Sequence, residues 1–85
     1  FNYVFEGKAV INDVCRILEI DHEIFEEAKG DSDTLAGLLI ELEGRIPIKN
    51  EKILFENLTF TVESADSRKV KRVKITINKK WHNIS

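Results

Sequence analysis

Asp33-Thr34-Leu35-Ala36-Gly37-Leu38-Leu39-Ile40-Glu41-Leu42-Glu43-Gly44-Arg45-Ile46-Pro47 spells out a helix with both of its ends marked. Asp33 is expected to cap the first turn, because its carboxylate accepts orphan backbone N–H bonds and faces the positive end of the helix dipole. Gly44 supplies the left-handed residue that stops the helix, and Pro47 prevents its resumption. Leu35, Leu38, Leu39 and Leu42 recur at helical spacing and make one apolar face, widened by Ala36, Gly37 and Ile40. An interior glycine costs a helix about 1 kcal/mol against alanine. Gly37 is therefore expected to serve the close approach of another backbone.

Toward the C-terminus the pattern changes from helical to alternating. Ile53-Leu54-Phe55 and Leu58-Thr59-Phe60-Thr61-Val62 read as strands joined by a tight turn at Glu56-Asn57. Leu58, Phe60 and Val62 form a dry face and Thr59, Thr61 and Glu63 a wet one. Val73, Ile75 and Ile77 alternate with Arg72, Lys74 and Thr76 as the last strand. Val70 is out of that register, so a bulge or turn is expected near Lys71. Toward the N-terminus, Tyr3 to Glu6 reads as a short strand punctuated by Gly7. A helix follows, with Asn12 or Asp13 near its start and Val14, Ile17 and Leu18 as its apolar stripe. Ile24-Phe25 reads as either a short helical turn or an edge strand. The fold class expected is α+β, with two main helices on one face of a small, mostly antiparallel sheet. The domain is expected over 1–78, with 79–85 as a tail.

At 85 residues, 42% hydrophobic and 33% charged, the composition is that of one small globular domain. Such a chain buries roughly 60–65% of its unfolded surface. No apolar run approaches the ~18 residues needed to cross a bilayer, and no signal peptide is visible. The chain opens on Phe1 rather than methionine, from which a segment of a longer protein is expected. The net charge of -2 hides an asymmetry: acids dominate before Gly44 and bases from Arg45 onward. Either the halves compensate each other on packing, or the domain is bipolar with a basic face turned to a membrane surface or nucleic acid.

Enzymatic signatures are lacking. There is no glycine-rich phosphate loop, nucleophile elbow or Cys/His metal spacing. Asp31 and Asp33 resemble the start of a calcium loop, but Leu35 and Gly37 occupy the next ligand offsets. Asp21-His22-Glu23 reads as a solvated turn, and Glu26 and Glu27 as surface charge. Cys15 reads as a small buried hydrophobe. The run Arg68-Lys69-Val70-Lys71-Arg72-Val73-Lys74 has no stacking aromatics on its face, so nucleic acid is not expected as a partner. Contact of these cations with anionic headgroups is a further reading. Trp81 either folds back over the sheet edge or anchors a partner.

Three separated segments also resemble a known family. Asp33-Thr34-Leu35-Ala36-Gly37 followed by Gly44-Arg45-Ile46-Pro47 is similar to the transporter-associated domain of CorC/HlyC proteins. Tyr3-Val4-Phe5-Glu6-Gly7 resembles the family's opening strand, and Phe60-Thr61-Val62-Glu63 with Asp66 to Ile75 its closing hairpin. The resemblance implies structural roles for Phe5, Glu6, Gly7, Asp33, Thr34, Gly37, Gly44 and Pro47. It implies the cytoplasmic C-terminal domain of a hemolysin-like, CBS-containing membrane protein linked to magnesium and cobalt efflux. The expected function is regulatory and non-catalytic, with the CBS pair, the transmembrane region and a homodimer mate as partners and no cofactor. The alternative is a ligand-binding domain for an FAD-like dinucleotide, since the family's fold is similar to part of the FAD-binding domain of certain flavin oxidases. Scattered glycines argue against that alternative, and fold similarity alone does not transfer a site.

Overall fold

The alternation after Pro47 does build strands, and they are joined by a strand from the other end of the chain. The computed structural model describes residues 2–78; Trp81 and the expected tail 79–85 lie outside the described residues. Strands β1 (Asn2–Glu6), β2 (Lys52–Phe55), β3 (Leu58–Ala65) and β4 (Val70–Ile77) form one sheet in the order β1-β4-β3-β2. Every pairing is antiparallel. Helix α1 (Ile11–Leu18), a short 3-10 helix (His22–Phe25) and α2 (Leu35–Glu43) connect β1 to β2.

The two halves of the chain meet in a single core. Ile11, Val14, Cys15 and Leu18 of α1 and Leu35, Leu38 and Leu39 of α2 pack with Ile53, Leu58, Phe60, Val62, Val70, Val73 and Ile75 of the sheet. Phe25 joins them, its ring stacked on Phe55 with centroids 5.4 Å apart. The buried stripe of α1 therefore runs through positions i, i+3, i+4 and i+7 from Ile11. Ile17, expected in that stripe, stands beside it and is 53% exposed.

The bulge expected near Lys71 is present, and β3 carries its counterpart. Val62 pairs with Val73, Ser64 with Arg72, and Ala65 with Val70. The unpaired residue is thus Glu63 on β3 and Lys71 on β4. The second irregularity cancels the first, so the strands leave the region in the register in which they entered it. It also turns Val70 inward although Val73, three residues on, is inward as well. The β2–β3 turn is the expected two-residue link, with Glu56 in the left-handed region at φ 55°.

Candidate interaction surface

Six of the family-like residues, Phe5, Glu6, Gly7, Asp33, Thr34 and Gly37, gather where the end of β1 meets the start of α2, while Gly44 and Pro47 lie at the other end of that helix. A helix begins with four backbone N–H groups that lack intrahelical partners. Here the Leu35 N–H donates to the Ala9 carbonyl at 2.9 Å and the Ala36 N–H to the Gly7 carbonyl at 2.8 Å. The Gly37 N–H donates to the Thr34 hydroxyl at 3.1 Å, and the Leu38 N–H then makes the first regular helical bond, to the Thr34 carbonyl at 3.0 Å. The first turn of α2 is thus satisfied by its own cap and by the loop after β1. A lone bridge between Val10 and Thr34 closes the junction.

The cap is Thr34, not Asp33 as expected from sequence. Thr34 has the extended backbone that a capping residue needs, whereas the Asp33 side chain points into solvent and lies 3.9 Å from Lys29. Asp33 contributes its backbone instead, its carbonyl accepting the Ile11 N–H at 2.8 Å where α1 begins. Helix α1 has no side-chain cap; Val10 precedes it, and Asp13 in the first turn pairs with Arg16 at 2.8 Å.

Gly37 also differs from expectation. A methyl group there would come within 2.5 Å of Ser32 Oγ and 2.6 Å of Ser32 Cβ, so a side chain crowds it rather than a foreign backbone. The backbone approach falls at Gly7, where a methyl would collide with the Val70 carbonyl. No sequence signal singles out Ser32, because its partner is fixed by the way the loop folds back over α2. Gly44 ends α2 at φ 75°, with its N–H donating to Ile40 at 2.8 Å. Pro47 is buried beyond it. The loop that follows is held by Arg45, whose guanidinium donates to both Glu51 oxygens at 3.2 and 2.6 Å. Phe5 stacks on Tyr3 with centroids 6.3 Å apart, and Glu6 lies 3.7 Å from Lys8.

The perturbed titratable groups owe their shifts to burial and to bonds with close neighbours. Burial pushes the Cys15 thiol up, and the charge of Asp21 pushes it further. Hydrogen bonds from Arg45 and from the Ile48 N–H hold the Glu51 carboxyl below its ordinary range. The N–H groups of Arg68 and Lys69, with Lys71 beside them, do the same for Asp66. Among the described residues no three His, Cys, Asp or Glu side chains are grouped to hold a metal ion. Asp21 instead caps the 3-10 helix through the Glu23 N–H, and His22 sits 3.2 Å from Glu26.

The helices cover one face of the sheet, and no element among the described residues covers the other. One row of that outer face reads Val4, Lys74, Thr61, Lys52 across the four strands; the next reads Asn2, Thr76, Thr59, Leu54. Leu54 and Val4 are 74% and 54% exposed. Two grooves flank β4 at opposite ends. One, of about 370 Å³, is apolar and lined by Tyr3, Ile17, Leu18, Glu19, Ile20 and Ile77. The other, of about 300 Å³, lies between Glu6, Lys8, Lys69, Val70, Lys71 and Arg72. Only at their boundary do the charge halves pair among the described residues, through Arg45 and Glu43 at 3.5 Å. Every ion pair among the described residues joins near neighbours in sequence, such as Arg45 with Glu43 and Glu51.

Known proteins share this arrangement. A domain from a CBS domain protein of Porphyromonas gingivalis, described as a transporter-associated domain, is 31% identical, with a TM-score of 0.81 over 92% of this chain and 90% of that one. A putative Mg2+ and Co2+ transporter (CorC) associated region from Neisseria meningitidis MC58 is 26% identical, with a TM-score of 0.76 over 89% and 88%. The magnesium and cobalt efflux protein CorC of Pasteurella multocida is 38% identical over 50 residues, which is 59% of this chain but only 17% of that protein. The family model for the CorC/HlyC transporter-associated domain matches residues 2–79. From β1 through the Thr34 cap to the β3–β4 hairpin, this chain belongs to the CorC/HlyC transporter-associated domain family.

Proposed function

We propose that the domain is a non-catalytic regulatory module of a CBS-containing membrane protein that exports magnesium or cobalt. It acts from the cytoplasmic side on the CBS pair and transmembrane region of the same protein, within a homodimer. The observation that carries this reading is the sheet's outer face. In a family associated with transporters, four strands present Val4, Leu54, three threonines and two lysines with nothing among the described residues over them. A regulator needs only contacts that differ between two states of its target. No helix of the described residues is long and apolar enough to cross a membrane.

Nothing in the geometry favours the FAD-like dinucleotide alternative. A pyrophosphate is commonly bound by free N–H groups at a helix N-terminus. Those of α2 are already taken by Ala9, Gly7 and Thr34.

The test is removal of this domain from the full-length parent, followed by measurement of Mg2+ and Co2+ efflux from loaded vesicles. Export is expected to continue with an altered dependence on cation concentration. Identical rates and identical concentration dependence would rule the regulatory role out. In parallel, FAD added to the 85-residue chain is expected to leave its melting temperature unchanged; a rise would restore the dinucleotide reading.

A further inference from the structure

We infer that the basic groove at the Gly7 end of β4 is an anion site that takes phosphate-bearing groups. Its walls come from opposite ends of the sequence. Lys8 follows the Gly7 turn, while Lys69, Lys71 and Arg72 surround the start of β4. The Gly7 N–H donates to the Lys71 carbonyl at 2.8 Å, which fixes the two walls against each other. The bulge makes the cluster dense. In a regular strand Lys71 and Arg72 point to opposite faces; here both are exposed, with buried Val70 as the floor beside them.

The local carboxylates offset this cluster only in part, pairing with Lys8 and Lys71 and leaving Lys69 and Arg72. Asp66 accepts the N–H groups of Arg68 and Lys69 at 2.8 and 2.9 Å and lies 3.6 Å from Lys71, so it is used within its own turn. Glu6 reaches only Lys8, at 3.7 Å. Lys69, Arg68 and Arg72 have no carboxylate partner among the described residues. The chain as a whole carries a net charge of -2, so its solubility does not require cations concentrated at one end. Packing them there costs self-repulsion, which a bound anion relieves. Lysines supply point charges and Arg72 a planar fork of donors, the combination that suits phosphate oxygens. The chemistry is shared by the headgroups of anionic lipids and by soluble phosphates. The inference stands on this groove alone and is independent of the transport role.

The test uses the 85-residue chain at 150 mM salt with two probes. One is vesicles of 70% phosphatidylcholine and 30% phosphatidylglycerol, read by co-sedimentation; the other is inorganic pyrophosphate, read by amide shifts of residues 6–8 and 68–72. Binding to vesicles alone assigns the site to a membrane surface. Binding to pyrophosphate assigns it to a soluble ligand. Lys69→Glu and Lys8→Glu, on opposite walls, are each expected to weaken binding about five-fold or more. Lys52→Glu, on the far edge strand, is expected to leave it within two-fold. Both test residues are exposed, and circular dichroism verifies their folds; if one variant unfolds, the other decides. Failure of both probes to bind, or equal weakening by Lys52→Glu, overturns the inference.

Discussion

Gly7 and Val70 meet backbone against backbone: the Cα of Gly7 faces the Val70 carbonyl so closely that no side chain fits between them. The contact lies where β1 ends, where the β4 bulge begins and where the loop reaches α2. Gly7→Ala is therefore expected to destabilise the domain by about 1–3 kcal/mol, the range for overpacking at a site where backbone must yield. Urea unfolding checks it: the midpoint falls while the slope stays unchanged.

Thr34 and Asp33 separate cleanly as capping candidates. Thr34→Ala removes the oxygen that receives the Gly37 N–H and is expected to cost about 1 kcal/mol. Thr34→Ser retains most of that stability. Asp33→Ala is expected to change stability by less than about 0.5 kcal/mol, since only an exposed, long contact to Lys29 is lost. Thermal melts of the three variants at one ionic strength give the comparison.

Gly37 and Ser32 form a testable pair. Gly37→Ala adds helix propensity worth about 1 kcal/mol. It also drives a methyl into Ser32, and the clash is expected to prevail, giving net loss. Ser32→Gly removes the obstructing atoms, so the double variant is expected to be more stable than Gly37→Ala alone. A double-mutant cycle measures this coupling, and zero coupling would show that the two residues do not meet.

Acid should act through Glu51 and Asp66. Both carboxyls lie below their ordinary values of 4.5 and 3.8, Glu51 through Arg45 and Ile48, Asp66 through the N–H groups of Arg68 and Lys69. A carboxylate with a depressed folded pKa contributes stability that is complete above its unfolded pKa and disappears as pH falls through the folded one. Glu51→Gln is thus expected to lower the melting temperature at pH 7. The gap should close as the pH is taken below 4.5 and on through the folded value. A gap of constant size across that range would mean that the ionised bond to Arg45 adds nothing.

Much of this fold is legible in the sequence because its signals are local. Gly44 and Pro47 bound α2, the Thr59/Phe60/Thr61/Val62 alternation assigns the faces of β3, and displaced Val70 announces a bulge. The misreadings share a different cause. Asp33 and Thr34 are both good capping residues, and which one caps is decided by where the backbone turns, through the Ile11 and Thr34 contacts made across the chain. Ile17 has helical spacing from Val14 but falls outside the stripe once Ile11 and Cys15 set its centre. Lys8 gave no hint of joining Lys69 and Arg72, because only the pairing of the first strand with the last brings them together.

The paired irregularities at Glu63 and Lys71 have an evolutionary corollary. Loss of either codon alone would shift one strand past its neighbour by a single step and invert inside and outside for everything beyond it. Loss of both would restore the match. Length variation in this hairpin is thus constrained to matched pairs of events, and a homologue lacking one of the two positions should lack the other.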